Sequence, residues 1–134
     1  MRRIYLDSSA AAKLVVAEAE TSALAHAIEA WEDDAAHVIV SELVATELWR
    51  GARRASWDRA TGRDVLAAFD VVDVTRSALR VAGQLEGVQL RTLDALHIAI
   101  ALEIDADAIV TYDARQGHAA RLADLATLSP GASG

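Results

Sequence analysis

Short apolar runs alternate along this chain with longer segments whose apolar residues recur at helical spacing. The runs predict five buried β-strands, at Arg3–Leu6, His37–Val40, Asp70–Val74, Ala108–Thr111 and Ala126–Leu128. Strands that alternate with helices form a parallel sheet with both faces covered. The predicted fold class is therefore α/β, a three-layer α/β/α sandwich around a short parallel β-sheet.

The segments between the strands predict seven helices, several of which begin beside a serine or threonine suited to capping. Their predicted bounds are Ala10–Val16, Thr21–Trp31, 42–54, Arg59–Phe69, Thr75–Leu85, Leu93–Leu102 and Ala114–Leu122. We expect Ser8 or Ser9 to cap the first helix, Ser41 the third and Thr92 the sixth.

The fifth and sixth helices have informative apolar patterns. In the fifth we expect Leu79, Ala82 and Leu85 to face the core, with Gly87 ending the helix. The sixth is apolar along most of its length, which is typical of a helix buried on all sides. Its first turn should therefore open onto the interior crevice of the fold.

Length and composition fit a single domain. A chain of 134 residues, 53% of them hydrophobic, is long enough to bury a real core. We expect one domain over residues 1–129 and a flexible C-terminal tail over residues 130–134. With no cysteine, disulfides and thiolate metal sites are excluded. We predict no signal peptide and no membrane span, and therefore a cytoplasmic location.

The charge of the chain is uneven. A net charge of −7 is unusual for a protein that binds nucleic acid, which generally carries a basic footprint. One segment departs from this balance, because it carries five arginines against Glu47 and Asp58. These arginines are Arg50, Arg53, Arg54, Arg59 and Arg63. Two interpretations of this segment are equally good. In one, Arg50, Arg53 and Arg54 contact RNA or a partner, and in the other they form a solvated helix face.

Two aspartates lie just beyond predicted strands. Asp7 comes directly after the first strand, and Asp113 follows the fourth strand after Tyr112. In α/β folds the crevice beyond the carboxyl ends of the strands is where ligands bind. Aspartate is also common in ordinary strand-to-helix turns, so each residue taken alone supports both interpretations.

Two further acidic residues lie on predicted helices. Glu47 is about 40° from Leu43 around the helix axis, at the edge of the apolar stripe, where a carboxylate needs a partner or a metal. A salt bridge to Arg50 is the alternative explanation. Asp94 lies in the first turn of the apolar sixth helix, where the helix dipole favours a carboxylate. His97 shares its face, and its role is left open.

Clustered carboxylates without cysteine suit hard cations such as Mg²⁺ or Mn²⁺, which prefer oxygen ligands. Such a site is typical of phosphodiester chemistry, since a bound cation lowers the pKa of water and steadies the leaving oxygen. Haloacid-dehalogenase-like phosphatases and response-regulator receivers also place an aspartate after a strand. They need a lysine near the phosphoryl group, and the single lysine here is Lys13, within the first helix.

The chain resembles the PIN-domain ribonucleases, and specifically the VapC-type toxins of type II toxin–antitoxin systems. Four segments in register over the whole chain carry the resemblance. They are Tyr5-Leu6-Asp7-Ser8-Ser9-Ala10, Ser41-Glu42-Leu43-Val44-Ala45-Thr46-Glu47-Leu48, Thr92-Leu93-Asp94-Ala95-Leu96-His97-Ile98-Ala99, and Asp107-Ala108-Ile109-Val110-Thr111-Tyr112-Asp113.

The resemblance implies a PIN-like sandwich whose acidic quartet, Asp7, Glu47, Asp94 and Asp113, binds Mg²⁺ or Mn²⁺ and is catalytic, with Ser9 and Thr111 in support. It implies an endoribonuclease that cuts tRNA or rRNA, inhibits translation and leaves 5′-phosphate and 3′-hydroxyl ends. It also implies a homodimer neutralised by a VapB-like antitoxin. The alternative left open is a catalytically silent PIN-like module that binds RNA or a protein partner.

Overall fold

Strands and helices alternate through the part of the chain that the structure, a computed structural model, describes: residues 1–55, 57–87 and 89–132, without the side chains of Arg54 and Ala55. The strands are β1 (Arg3–Leu6), β2 (His37–Ser41), β3 (Asp70–Val72), β4 (Ala108–Val110) and β5 (Ala126–Leu128). The helices are α1 (Ser8–Val15), α2 (Thr21–Asp33), α3 (Glu42–Ala55), α4 (Arg59–Ala67), α5 (Arg76–Ala82), α6 (Thr92–Glu103) and α7 (Ala114–Leu122).

The five strands form one sheet in the order β3-β2-β1-β4-β5, and every neighbouring pair is parallel. In the central strand β1, Ile4, Tyr5 and Leu6 are fully buried. A strand hidden on both faces requires helices on both sides of the sheet. The predicted α/β fold class with a short parallel sheet is confirmed.

The helix α6 is the most buried helix described, with seven consecutive residues, Ala95–Ala101, inside the core. It has no polar stripe because apolar side chains surround its axis, which confirms its predicted central position. It packs beside α5, where the small Ala78 is fully buried. The first turn of α6 consequently lies at the edge of the core, where polar groups have access to solvent.

The predicted pattern of α5 was wrong for Leu79 and for the end of the helix, whereas Ala82 and Leu85 pack against the core as predicted. The helix ends at Ala82 with Gly83 as its C-cap, well before Gly87, and Leu79 is 54% exposed rather than facing the core. Ala78 takes the buried position because a methyl side chain allows α5 to approach α6 closely. Smaller differences affect other ends: β2, α2, α3 and α6 extend beyond their predicted last residues, whereas α1, α4, β3 and β4 stop short of theirs.

Helix capping followed the prediction at one start of three. The Ser41 hydroxyl accepts a hydrogen bond from the Val44 N–H at 3.3 Å, as expected for α3. At α1 the N-cap is Asp7 rather than a serine, because its carboxylate accepts from the Ala10 N–H. At α6 the N-cap position falls on Arg91, without a side-chain hydrogen bond, and Thr92 is already helical.

Lys13 is buried at the end of α1 and contacts two glutamates and a tyrosine ring. Its Nζ lies 2.9 Å from Glu20 Oε2 and 3.1 Å from Glu18 Oε2. It also lies 4.7 Å from the centroid of the Tyr112 ring, whose hydroxyl donates to the Pro130 carbonyl. Burial acts to lower the pKa of Lys13, but the hydrogen bonds to Glu20 and Glu18 outweigh it and the pKa is raised. The ammonium group therefore stays charged.

Two sequence predictions concern the ends and the location of the chain. The division into residues 1–129 and a flexible tail over 130–134 stays a prediction, and Ser133 and Gly134 lie outside the described residues. No described helix combines the length and the apolar character needed to cross a membrane.

The buried position of α6 predicts unequal costs for two truncations in that helix. Replacing the fully buried Ile98 by Ala should lower the free energy of unfolding by about 2–5 kcal/mol, since it leaves a cavity. Replacing Leu93, which is 48% exposed, should change it by about 0.5 kcal/mol or less. Chemical denaturation of both variants measures the difference. Equal losses would contradict the placement of α6.

Candidate active site

The candidate site lies beyond the carboxyl ends of β1 and β4, two adjacent strands at the centre of the sheet. From β1 the chain builds β2 and β3 on one side, and then crosses to β4 and β5 on the other. The connections after β1 and β4 therefore diverge and open a crevice between them, the topological switch point at which such folds bind ligands. Asp7 and Asp113 both follow these strands, as predicted.

Asp7 is almost fully buried, with 2% of its surface exposed. Its Oδ1 accepts hydrogen bonds from the Ser9 hydroxyl at 2.6 Å and from the Ala10 N–H at 3.0 Å. Its Oδ2 accepts from Gln116 Nε2 at 3.3 Å. These three donors offset the cost of burying the polar oxygens of Asp7. Asp7 is therefore both the cap of α1 and a fixed charge in the crevice.

Asp113 has the same double position at the start of α7. Its Oδ1 accepts from the N–H groups of Arg115 at 2.9 Å and Gln116 at 3.4 Å. The free N–H groups of the first turn and the positive end of the helix dipole both stabilise this carboxylate. From the sequence, Asp7 and Asp113 were either helix caps or residues of the crevice. In the structure, each of them is both.

Ser9 and Thr111 connect the two strand ends. The Ser9 hydroxyl accepts from the Tyr112 N–H at 2.9 Å while it donates to Asp7. Thr111 is 2% exposed, and its hydroxyl accepts from the Asp113 N–H at 3.2 Å. Both hydroxyls therefore orient the backbone and carboxylates of the crevice.

Glu47 reaches the crevice from α3. Its Oε1 accepts from the Ser8 hydroxyl at 2.7 Å and lies 2.6 Å from His97 Nε2. Its side chain is 30% exposed, whereas that of His97 is 3% exposed. These contacts connect α1, α3 and α6 and place the carboxylate at the edge of the buried network.

Asp94 is half-buried in the first turn of α6. Burial raises its pKa, and the charges of Asp113, Asp7 and Glu47 raise it further, while His97 acts in the opposite direction. The other three carboxylates therefore lie close enough to Asp94 for their charges to disfavour its ionised form.

The quartet lines one pocket of about 150 Å³. Its walls are formed by Asp7, Ser8, Ser9, Glu47, Asp94, His97, Asp113 and Gln116. A larger cavity of about 440 Å³ lies between α7 and residues 86–87 and 89–90, with mainly apolar walls that include Leu90 and Leu122. The smaller pocket is the better candidate, since chemistry requires the charged groups that gather there.

The donor set fits a hard divalent cation, since it offers several carboxylate oxygens under mutual repulsion and no thiolate. Within the described residues, however, no three acidic or histidine side chains form a group that could hold a metal ion by themselves. The oxygens of Asp7, Glu47 and Asp113 are instead turned toward protein donors. This arrangement suits Mg²⁺, which keeps several waters and borrows substrate phosphate oxygens.

Sequence reasoning missed two residues of this pocket and left a third undecided. Ser8 was expected only as a cap, and Gln116 was not considered. Gln116 is 1% exposed, and its Oε1 is buried without a hydrogen-bond partner in the described part of the chain. Its position three residues after Asp113, in the first turn of α7, was the available signal. His97, undecided from sequence, lies in the pocket.

The arginine-rich segment begins one turn after Glu47. Arg50 and Arg53 are exposed on α3, whereas the side chain of Arg54 lies outside the described residues. Arg59 stacks on the Trp49 ring at 5.4 Å. Trp57 packs over Gly51, so that a Cβ on this glycine would lie 2.6 Å from the indole. The segment therefore exposes the Arg50 and Arg53 guanidinium groups, while its tryptophans are engaged within the protein.

Comparisons with known proteins bear on this site. The family model of the PIN domain matches residues 4–122. Ribonuclease VapC46 of Mycobacterium tuberculosis is 37% identical over 133 residues, which cover 97% of this chain and 99% of that protein. Ribonuclease VapC47 of the same species is 34% identical over 96% of this chain and 98% of its own length.

Solved structures agree on the fold. The VapBC2 complex of Rickettsia felis, bound to a promoter DNA fragment, has a TM-score of 0.75 at 14% identity and covers 96% of this chain and 98% of that one. VapC20 of M. tuberculosis, described as a toxin that cleaves the sarcin-ricin loop, has a TM-score of 0.67 at 19% identity, with coverage of 87% and 94%. The family match over residues 4–122 and the relatives of 34–37% identity agree with the acidic pocket at the switch point. This chain therefore belongs to the PIN-domain family and, within it, to the VapC-type proteins.

Proposed function

We propose that this protein is a metal-dependent endoribonuclease that uses Mg²⁺, or Mn²⁺ in its place. The observation that carries the proposal is the single pocket in which Asp7, Glu47, Asp94 and Asp113 meet at the switch point of the sheet. Relatives of nearly the same length that are named ribonucleases support the activity. Mutual repulsion among the carboxylates supports the cation, since a divalent charge would relieve it.

Asp7, Asp94 and Asp113 would hold the cation, and Glu47 would complete the set or orient the attacking water. When bound, Mg²⁺ supplies a water of lowered pKa and stabilises charge on the leaving oxygen. The protein contributes orientation: Gln116 and Ser9 fix Asp7. Hydrolysis by a water nucleophile would leave 5′-phosphate and 3′-hydroxyl ends.

The proposal extends to the biological role of a toxin that inhibits translation by cutting tRNA or rRNA. The related VapC20, described as a toxin that cleaves the sarcin-ricin loop, supports an RNA of the translation machinery as the target. Related structures described as toxin–antitoxin complexes, from R. felis and Klebsiella pneumoniae, support a VapB-like partner. We place the protein in the cytoplasm, where such RNA is found. We propose further that the protein forms a homodimer.

A catalytically silent module is the second candidate. It is favoured by the absence of a preformed metal group among the described residues. In that case Asp7 and Asp113 would serve only as helix caps, and Arg50 and Arg53 would bind RNA or a protein without cleavage. A substitution that abolishes cleavage but leaves the helix caps intact separates the two candidates. Asp94 is suited to such a substitution because no capping hydrogen bond of its side chain is described.

Replacing Asp94 by Asn should therefore abolish metal-dependent cleavage of RNA while the thermal unfolding midpoint changes little. Loss of a cation ligand removes several kcal/mol of transition-state stabilisation, which corresponds to roughly 100-fold or more in rate. Asp64→Asn, on the exposed surface of α4, is the matched control and should cleave at the wild-type rate. An active Asp94→Asn protein would show that the site is wrong.

Replacing Asp113 by Asn should lower the pKa of Asp94, since burial remains but the nearest repelling charge is removed. In the wild type, the raised pKa means that Asp94 loses its proton at a higher pH than an ordinary aspartate does, so cation affinity should rise with pH through that range. A carbon-detected NMR titration of the Asp94 carboxyl measures the shift, with Asp64→Asn as the control. An unchanged pKa would refute the proposed repulsion.

Replacing Arg50 and Arg53 together by Ala should weaken RNA binding and flatten its salt dependence. Each phosphate contact to single-stranded RNA contributes about 0.7 to the slope of log affinity against log salt, so the slope should fall by roughly 1.4. Binding titrations at several salt concentrations measure it in the inactive Asp94→Asn background. Arg80→Ala, on α5, controls for the loss of a surface charge. An unchanged slope would assign these arginines to a partner or to solvent.

A further inference from the structure

A continuous chain of hydrogen bonds runs from the core to Glu47. Ser41 Oγ lies 2.8 Å from the Tyr5 hydroxyl, which lies 2.8 Å from His97 Nδ1. On the other side of the imidazole, Nε2 lies 2.6 Å from Glu47 Oε1 and 3.2 Å from the Ser8 hydroxyl, whose own hydrogen is donated to Glu47 at 2.7 Å. Ser41 and Tyr5 are fully buried and His97 is 2% exposed, so water does not compete for these groups.

The number of hydrogens available in this series of hydrogen bonds determines which group donates in each bond. Ser41 Oγ already accepts the Val44 N–H, and the Tyr5 hydroxyl is the described acceptor within reach of the serine hydrogen. If Tyr5 donated to Ser41, the serine hydrogen would be left buried without an acceptor among the described residues, at a cost in free energy. If Ser41 donates to Tyr5, the tyrosine hydrogen is available for His97 Nδ1 and every hydrogen is satisfied.

The bond at one imidazole nitrogen decides what the other nitrogen carries. When Nδ1 accepts from Tyr5, it holds no proton, and the proton of the neutral ring lies on Nε2. That nitrogen faces the Glu47 carboxylate, which can only accept. Ser8 donates to the same oxygen, so two donors from α1 and α6 converge on Glu47 Oε1.

We propose that His97 is a positioning residue whose Nε2–H tautomer, imposed by the Ser41–Tyr5 pair, holds the Glu47 carboxylate in the pocket. His97 thus acts through Glu47 and does not need to touch RNA. The Nε2–H group orients the carboxylate through a direct hydrogen bond across 2.6 Å. The consequence for catalysis rests on the proposed nuclease function, whereas the tautomer does not.

The tautomer is measured directly by two-bond ¹⁵N–¹H correlation spectra of the metal-free protein labelled at histidine, recorded at mildly alkaline pH. The chain has four histidines, and the signal that His97→Gln removes identifies the relevant ring. We expect Nδ1 to show the shift of an unprotonated nitrogen and Nε2 that of a protonated one. A proton on Nδ1, alone or together with one on Nε2, would overturn the proposal.

Two variants test the origin of the tautomer. Tyr5→Phe conserves shape but removes the donor to Nδ1, so the Nδ1 resonance should shift and the second tautomer should appear. Ser41→Ala is the matched control, because Tyr5 already donates to His97 and the tautomer should persist. A tautomer that changes in Ser41→Ala, or one that is unaffected in Tyr5→Phe, would show that this pair does not set it.

Cleavage assays test the effect on Glu47. Glutamine places an amide N–H near the position of Nε2, whereas asparagine reaches only the position of Nδ1. His97→Asn should therefore lower kcat by roughly 10–100-fold with little change in KM, the range found when a supporting residue is lost, and His97→Gln should retain much more activity. Equal losses in both variants, or no loss in either, would contradict donation from Nε2.

The two arms also separate this inference from the function on which it rests. If the wild-type protein cleaves no RNA with Mg²⁺ or Mn²⁺, the proposed function fails, while the spectra still decide the tautomer. If the protein cleaves RNA but Nδ1 carries the proton, the function stands and the positioning role of His97 fails. Thermal unfolding of each variant shows whether a loss of activity reflects a loss of fold.

Discussion

Repulsion among carboxylates in a half-buried pocket is the constraint that the structure around the site must satisfy. Asp7 is nearly buried, and the pKa of Asp94 is raised by its burial and by the charges of Asp113, Asp7 and Glu47. Fixed donors offset part of this cost: helix N–H groups, two serine hydroxyls and the Gln116 amide. Because these donors are neutral, the pocket stays negative. A site that must attract a cation needs this balance between local stabilisation and net charge.

The fold supplies these donors economically, since the same elements that build the core also end at the pocket. The pairing of β1 with β4 brings two strand ends together, and each strand leads directly into a helix capped by the aspartate that follows. The buried helix α6 fills the core along most of its length and presents Asp94 from its first turn. A change in the register of β4 would therefore disturb the core and the site at once.

Local signals explain which parts of this arrangement were predictable. Asp7 and Asp113 lie just beyond apolar strands, and the alternation of strands and helices indicates a parallel sheet, so their meeting at one edge follows from the sequence. The resemblance to VapC-type proteins added Glu47 and Asp94 to the same group. Even there, the sequence did not decide between a cap and a site residue for Asp7, and the structure shows that one carboxylate has both positions.

Contacts between distant segments were beyond such signals. His97 and Glu47 are 50 residues apart, and Tyr5 and Ser41 meet only because β1 pairs with β2. A tyrosine in an apolar run indicates burial but not the partner of its hydroxyl. The error at α5 has a similar cause: spacing favoured Leu79, but close packing against α6 selected the smaller Ala78. Helix spacing describes which residues share a face, and the neighbouring element decides which face is used.

The buried environment of Lys13 has a consequence for how the positive charge of this protein is regulated. Lys13 is the single lysine, and carboxylates and an aromatic ring enclose it, so every other permanently charged side-chain cation is an arginine. Acetylation neutralises an accessible ammonium group and does not act on a guanidinium. The cationic surface that Arg50 and Arg53 form on α3 is consequently insensitive to lysine acylation.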